Sequence, residues 1–395
     1  MHILKDKTQS LCPECYNEVP AQVIEKNDRV YISKECPEHG KFEVMIEKDA
    51  KIYKRLMNKK DPEECNKFDS LTISVTHDCD MSCSVCYLPK RDGKKLSLEE
   101  IKNTIARFSN GSVRLTGGEP NCRGDIPEIV KYISKLKRNS ILITNGLRLS
   151  DKEVVRQVRN AGLTRVHFPF YGFDDNIYKK INGRALLKKK LKALRYLKKF
   201  RQETTLSMLA VSGINSDQIR RVFKYCVRNN SFIKQLRLRS VSDIGKGKVD
   251  ECIFLSDLIK SMAGILGVST DYLIGHSIRL NPNHAPCHIE IDMLQLFMEE
   301  MRQKRIDSMH KKLGYLFLRI LPLVGAANVI RMLVRKLRGK GRIFDFEIKL
   351  RSWPDRHNVD LSEIRRCPTG YATFSGDKLL PFCYALIIND KFDVI

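Results

Sequence analysis

Thr76-His77-Asp78-Cys79-Asp80-Met81-Ser82-Cys83-Ser84-Val85-Cys86-Tyr87 follows directly on an apolar run that begins at Leu71. The Cys-x3-Cys-x2-Cys spacing sets three thiolates on one tight loop. Three ligands leave the fourth iron of a [4Fe-4S] cubane open, as a catalytic site requires and a purely structural one does not. A zinc knuckle is the competing reading, but zinc takes four closed ligands and pairs Cys-x2-4-Cys with a distant second pair. The position behind a first strand and the aromatic Tyr87 after the last cysteine agree with the iron-sulfur reading.

From Leu71 onward, apolar runs of strand length alternate with amphipathic segments of helix length, the pattern of βα units on a parallel sheet. Strands are expected at 71–76, 112–116, 140–144, 164–169, 205–211 and 234–240, with helices at about 97–109, 125–137, 150–161, 184–200 and 215–229. This predicts an α/β chain built on a partial (β/α)6 TIM-like barrel, whose chemistry sits on loops at the carboxyl ends of the strands. After about residue 245 the rhythm stops; 255–340 reads as mostly helical and 365–390 as a cysteine-bearing tail. The expected organisation is a small metal-binding module over 1–68, the barrel core over 69–245, and a substrate-binding and auxiliary-cluster region over 246–395.

Gly117-Gly118-Glu119-Pro120 follows the second expected strand, Val113-Arg114-Leu115-Thr116. Two glycines let a main chain approach a ligand, and a carboxylate can meet an ammonium; a Gly-rich turn closed by proline is the plainer alternative. Together with the cysteine loop this motif resembles the radical S-adenosylmethionine (SAM) superfamily. The resemblance implies that Cys79, Cys83 and Cys86 hold a [4Fe-4S] cluster whose open iron chelates SAM, and that Gly117, Gly118 and Glu119, with Pro120 and Tyr87 beside them, border the methionine end of SAM. It further implies reductive cleavage of SAM to methionine and a 5'-deoxyadenosyl radical that abstracts hydrogen from an inert C–H bond, with a ferredoxin or flavodoxin as electron donor. Thr144-Asn145-Gly146 resembles the family's ribose loop, and Tyr171-Gly172-Phe173-Asp174 a family turn after the fourth strand. Ser212, Gly213 and Arg239 are candidate adenosine and carboxylate contacts. Each of these also reads as an ordinary β-to-α turn.

Thirteen cysteines without an apolar stretch in the first ten residues argue for reduced thiolates as metal ligands in a cytoplasmic setting. Cys12-Pro13-Glu14-Cys15 and Cys36-Pro37-Glu38-His39-Gly40 read as two knuckles of one mononuclear zinc or iron site, with Cys65 as an alternative fourth ligand. Iron would make it rubredoxin-like, and ligand softness does not separate the two metals. Cys287, Cys367 and Cys383 each stand within two residues of a proline, which places them on loops and suggests an auxiliary [4Fe-4S] cluster; Cys226 reads as ordinary core.

The pairing of this head with the tail Cys367-Pro368-Thr369-Gly370-Tyr371-Ala372-Thr373 and Leu380-Pro381-Phe382-Cys383-Tyr384 resembles the radical SAM group of archaeal tetraether lipid synthases and pterin methylases. A net charge of +25 would draw the chain to a polyanion, either nucleic acid or an anionic membrane face. Apolar residues recur at three and four through 311–340, with Arg331, Arg335 and Arg338 on another face, as in a helix lying in a membrane interface. A core-facing helix with a solvated basic side is the alternative. The leading expectation is therefore C–C coupling or modification of lipid alkyl chains, on the cytoplasmic membrane face. Its competitors are a methylase or maturase acting on a pterin-like small molecule or a peptide, and a noncatalytic iron-sulfur protein bound to nucleic acid. The last explains the charge but not Gly117–Pro120, and aromatic residues for base stacking are sparse in the basic run 188–201.

Overall fold

Two sheets organise the chain. The structure, a computed structural model, describes residues 1–59, 68–88, 92–108, 111–247, 252–280, 288–306, 308–326, 329–330, 346–392 and 394–395. The first sheet is an antiparallel meander of β1 (His2–Leu11), β2 (Glu18–Lys26), β3 (Arg29–Cys36) and β4 (Gly40–Glu47). The β-like runs Arg29–Ser33 and Phe42–Ile46 of the sequence lie in β3 and β4, whereas β1 is mostly exposed and polar, so no alternation marks it. Its apolar contacts form two small clusters, Cys12, Val19 and Cys36 in one and Val23, Val30 and Ala50 in the other. That is little area to hold a fold, and metal ligation is the usual remedy.

The second sheet comprises β5 (Ser70–Ser74), β6 (Ser112–Thr116), β7 (Ser140–Ile143), β8 (Arg165–Pro169), β9 (Thr204–Ala210), β10 (Ile233–Ser240), β11 (Ile278–Leu280), β12 (His288–Ile291), β13 (Glu347–Arg351), β14 (Thr369–Ala372) and β15 (Leu379–Pro381). The six expected strands are β5 to β10, each matched to within two residues at either end. The expected helix 184–200 is Leu187–Lys199, and a further, unexpected helix, Asp175–Asn182, precedes it and ends at Gly183, whose φ of 77° only glycine adopts readily.

One expectation needs correcting. The parallel array does not end with β10: β13 pairs parallel with β10 and β14 parallel with β5, so eight adjacent strands run β14-β5-β6-β7-β8-β9-β10-β13. The region after 245 is therefore part of the barrel wall, and the stretch read as helical also carries the antiparallel edge strands β11 and β12. The helix expected over 311–340 runs from Met309 to Val324 and stops at Gly325; residues 331–345, with Arg331, Arg335 and Arg338, lie outside the described residues. Its Arg319 turns inward, donating to the carbonyl of Leu266 (2.6 Å) and pairing with Glu300 (3.2 Å). Among the described residues no helix is long and apolar enough to cross a membrane.

Strand alternation sorts the two faces of the large sheet. Leu71, Ile73, Val113, Leu115, Leu236 and Leu238 are all at most 1% exposed and pack in the main core with the helices. Their neighbours necessarily point to the opposite face. There the register sets Thr72 beside Arg114, Ser207 beside Arg237, and Arg239 beside Arg351. The inner face of this barrel is polar and basic, where a filled barrel would carry branched apolar side chains.

Candidate active site and metal centre

The cysteine loop leaves β5 and is held from below by the loop after β6. Gly118 N donates to Thr76 O (2.8 Å) and Glu119 N to Asp78 O (2.7 Å). A Cβ on Gly117, whose φ is +133°, would lie 2.2 Å from Thr76 O, and one on Gly118 would lie 2.3 Å from Asp78 O. The glycines thus allow two loops to pack main chain to main chain, whereas ligand approach was the expected reason for them. Both still border the cavity described below.

Glu119 is fully buried and is absent from the cavity wall. Its Oε1 accepts from Asn121 N (2.9 Å), Asn121 Nδ2 (2.9 Å) and Thr144 Oγ1 (2.7 Å), and its Oε2 from Asn145 N (2.5 Å). Burial raises its pKa and these donors oppose the rise. In this arrangement the carboxylate fastens the loops after β6 and β7 together. Pro120 opens the short 3-10 turn Pro120–Cys122 beneath it. Lys190, 1% exposed, adds a second tie: its Nζ donates to Asn145 O (2.6 Å) and Pro169 O (3.0 Å), and burial lowers its pKa to about 7.

At the carboxyl ends of the strands lies a cavity of about 1180 Å³, counted to its open mouth. Cys79, Cys83 and Cys86 border it from above, with Tyr87, Gly117, Gly118, Thr144, Asn145 and Arg239 around the rim, so most of the expected site residues converge here. Tyr87 bonds Thr116 Oγ1 through its hydroxyl (3.0 Å) and meets Trp353 edge-on. Asn182 Nδ2 donates to Cys83 Sγ (3.2 Å). Glu119, Pro120, Ser212 and Gly213 are the exceptions and do not reach the wall. Unforeseen residues also line it: Arg114, His167, Arg237, Arg351, Trp353 and Phe382.

The N-terminal thiols make a different kind of site. Cys12, Cys15, Cys36 and His39 place their ligand atoms within 4.8 Å of one another. Cys15 Sγ lies 3.8 Å from Cys36 Sγ, and His39 Nδ1 lies 3.7 Å from Cys12 Sγ and 3.5 Å from Cys36 Sγ. Zinc–sulfur bonds of about 2.3 Å in a tetrahedron require S···S separations of about 3.8 Å, so the set fits one ion. His39 draws the Cys36 thiol to lower pKa, as a thiolate ligand needs. Cys65, the alternative ligand, lies outside the described residues.

Residues 73–226 match the radical SAM superfamily profile, and residues 4–48 match the HMPTM N-terminal zinc ribbon domain. The chain is a radical SAM enzyme. Across 99% of its length it is 24% identical to the 7,8-dihydro-6-hydroxymethylpterin dimethyltransferase of Methanocaldococcus jannaschii, 96% of which is covered. Across 45% of its length it is 29% identical to the probable GTP 3',8-cyclase of Thermococcus kodakarensis, 59% of which is covered. Among solved structures, Streptococcus suis SuiB bound to S-adenosylmethionine aligns with 53% of this chain and 48% of its own, at 20% identity and a TM-score of 0.46.

Of the three cysteines of this radical SAM enzyme expected to share an auxiliary cluster, two fall among the described residues. Cys383 stands in the first turn of the helix Phe382–Phe392, not on a loop, because Pro381 ends β15 and the helix starts directly after it. Cys367 and Cys383 are 8% and 2% exposed and belong to one apolar cluster with Leu361, Tyr371 and Phe382. Cys287 lies outside the described residues, and Cys226 is core, as expected. Of the cavity arginines the sequence singled out Arg239 alone, although the alternation Leu236-Arg237-Leu238-Arg239 in a helix-covered sheet also carried the signal for Arg237.

Proposed function

We propose that this radical SAM enzyme modifies a small, pterin-like molecule, with methylation as the leading reaction class. The carrying observation is the single cavity that all three cysteines border, with Arg114, His167, Arg237, Arg239 and Arg351 in its wall. Among the described residues Cys79, Cys83 and Cys86 do not form a single-ion group of the kind that Cys12, Cys15, Cys36 and His39 form, and three ligands on one loop suit a cubane with an open iron. A reduced cluster with SAM bound supplies one-electron cleavage chemistry that activates an inert C–H bond.

The chain's own residues then have separable tasks. Cys79, Cys83 and Cys86 hold the cluster; Gly117, Gly118, Thr144 and Asn145 border the space for SAM; Glu119 and Lys190 fix the loops that carry them. An electron donor such as ferredoxin or flavodoxin is the partner this reading needs. The near end-to-end similarity to a pterin dimethyltransferase favours a pterin-like substrate over a lipid. So do the arginines and the histidine of the cavity wall, which give a polar heterocycle hydrogen-bonding partners that an alkyl chain could not use. An auxiliary cluster at Cys367 and Cys383 would have to displace the apolar packing around both thiols, so one cluster is proposed.

Protein reconstituted without oxygen and given dithionite, SAM in excess so that a second molecule can donate its methyl group, and 7,8-dihydro-6-hydroxymethylpterin, free or as its phosphate ester, should release 5'-deoxyadenosine and yield a methylated pterin by mass spectrometry. Cys83→Ala should abolish both while leaving the N-terminal metal bound. Cleavage of SAM that persists in that variant would remove the basis for the assignment.

A further inference from the structure

The inner wall of the cavity carries more positive charge than its surroundings balance. Arg114 on β6, Arg237 and Arg239 on β10, and Arg351 on β13 all border it. Among the described residues none of the four forms an ion pair with a carboxylate, whereas Arg165, one strand position deeper than His167, pairs with Glu203 at 3.2 Å. Arg351 is 6% exposed. The Nε atoms of Arg114, Arg237 and Arg351 are buried and have no hydrogen-bond partner among the described residues. Their few contacts are neutral: Arg114 Nη1 donates to Thr369 Oγ1 (3.1 Å), Arg237 Nη2 donates to Gln235 Oε1 (3.2 Å), and Arg239 lies over the Trp353 ring (4.3 Å).

Such an arrangement is costly. Burying an unpaired charge is among the most expensive things a fold can do, and a guanidinium cannot escape by losing its proton at neutral pH. Burial and mutual repulsion pull the Arg114 pKa down to about 10 and that of Arg237 well below its usual value, and hold His167 neutral. The cofactors do not relieve it. Three thiolates on a dicationic cluster leave one net negative charge, while the sulfonium, ammonium and carboxylate of SAM leave one net positive charge, so the pair sums to neutrality. The remaining cations need an anion, and the planar guanidinium fork matches phosphate oxygens bidentately.

We infer that the substrate of this chamber carries a phosphate ester or diphosphate group, which Arg114, Arg237, Arg239 and Arg351 bind on the barrel's inner wall. The inference rests on reading the cavity as the substrate chamber of a radical SAM enzyme. It adds the chemical class of the handle by which the substrate is held, which a neutral hydroxymethylpterin lacks.

The test uses the cluster-reconstituted, zinc-loaded full chain saturated with SAM, and inorganic pyrophosphate as probe, followed by isothermal titration calorimetry. Saturable binding that leaves SAM in place is expected. Arg237→Leu and Arg351→Leu should each weaken it about ten- to a hundredfold, the range for a hydrogen-bonded charged contact. Arg237→Lys keeps the charge but not the fork, and should fall between. Because each Leu variant removes an uncompensated buried charge, its own melting temperature without probe should rise or hold. No saturable binding, displacement of SAM by pyrophosphate, equal affinity in the variants, or glutarate binding as tightly as pyrophosphate would each overturn the phosphate assignment. A sample that binds pyrophosphate but not SAM supports the anion site while sinking the functional reading beneath it, so the two failures are distinguishable.

Discussion

Cys36→Ser should unfold the N-terminal sheet while leaving the barrel intact. The four ligand atoms sit at the separations of a single tetrahedral ion, 3.5 to 3.8 Å. A structural zinc in such a site contributes about 10–16 kcal/mol, as large as the whole stability of an ordinary domain, about 5–15 kcal/mol. Against that loss stand the two small apolar clusters and a set of docking contacts on the C-terminal region. Ser10 Oγ donates to Val359 O (2.6 Å), Lys5 pairs with Asp360 (2.8 Å) and Arg365 with Glu18 (2.7 Å), and the buried Lys34 donates to His357 O (2.8 Å) and Arg356 O (3.2 Å). At about 0.5–1.5 kcal/mol for each such bond, they cannot replace the metal. Hydrogen exchange should therefore show the amides of β2 and β3, including the fully buried Val23, Val30 and Ile32, losing protection in the variant and in chelated wild type. Amides of β7 and β8 should be unchanged, and His39→Cys, which keeps four ligands as four thiolates, should retain the protection of β2 and β3. Protection of β2 and β3 that survives metal removal would refute the reasoning, since apolar packing would then suffice.

Gly118→Ala places a Cβ 2.3 Å from Asp78 O and 2.6 Å from His77 O, so it should cost about 2–4 kcal/mol and lower the iron content after reconstitution; Gly124→Ala, with open space around its Cβ, should change neither. Glu119→Gln turns an acceptor into a donor facing converging donors, and should lower the urea midpoint by the equivalent of about 2–3 kcal/mol. Lys190 has a folded pKa of about 7 against an ordinary 10.5. Its burial penalty is therefore full below pH 7 and relieved as pH rises toward 10.5, with a slope of up to about 1.4 kcal/mol per pH unit. Lys190→Met should remove that slope, read as denaturation midpoints of the two proteins across pH 7 to 10; parallel curves would contradict the buried ammonium.

The chemistry-bearing loops were legible because each is local. The cysteine spacing, Gly117–Pro120 and both N-terminal knuckles need no knowledge of the rest of the chain. Strands β5 to β10 were legible for a related reason, since each is followed by an amphipathic segment that covers it. β13 and β14 escaped because they are short, Glu347–Arg351 and Thr369–Ala372, and join the sheet without that repeating accompaniment. Arg114, Arg237 and Arg351 were not legible because a charged alternate in a strand carries no local sign of whether it meets solvent or a cavity; Arg239 stood out only by its place near the strand's end. With helices on the outer face, the apolar alternates Leu236 and Leu238 must face outward, and Arg237 and Arg239 are left pointing into the barrel. The net charge, read as a signal for an external polyanion, is in part this internal charge.

The late strands also explain why a metal ribbon far from the cysteine loop belongs to the same machine. Lys34 of the ribbon holds the carbonyls of Arg356 and His357, and His357 Nε2 meets Asp243 Oδ2 at 2.9 Å. Beside it, Ser242 Oγ donates to Trp353 O (2.6 Å), and Trp353 stacks under Arg239 and edge-on to Tyr87 in the cavity wall. A continuous set of contacts thus runs from the ribbon through the turn after β13 to the chamber. Backbone carbonyls held by a buried ammonium are stiff, because releasing them leaves both sides unpaired in low dielectric. The ribbon accordingly positions the one wall of the barrel that no βα unit covers, the wall that carries Arg351.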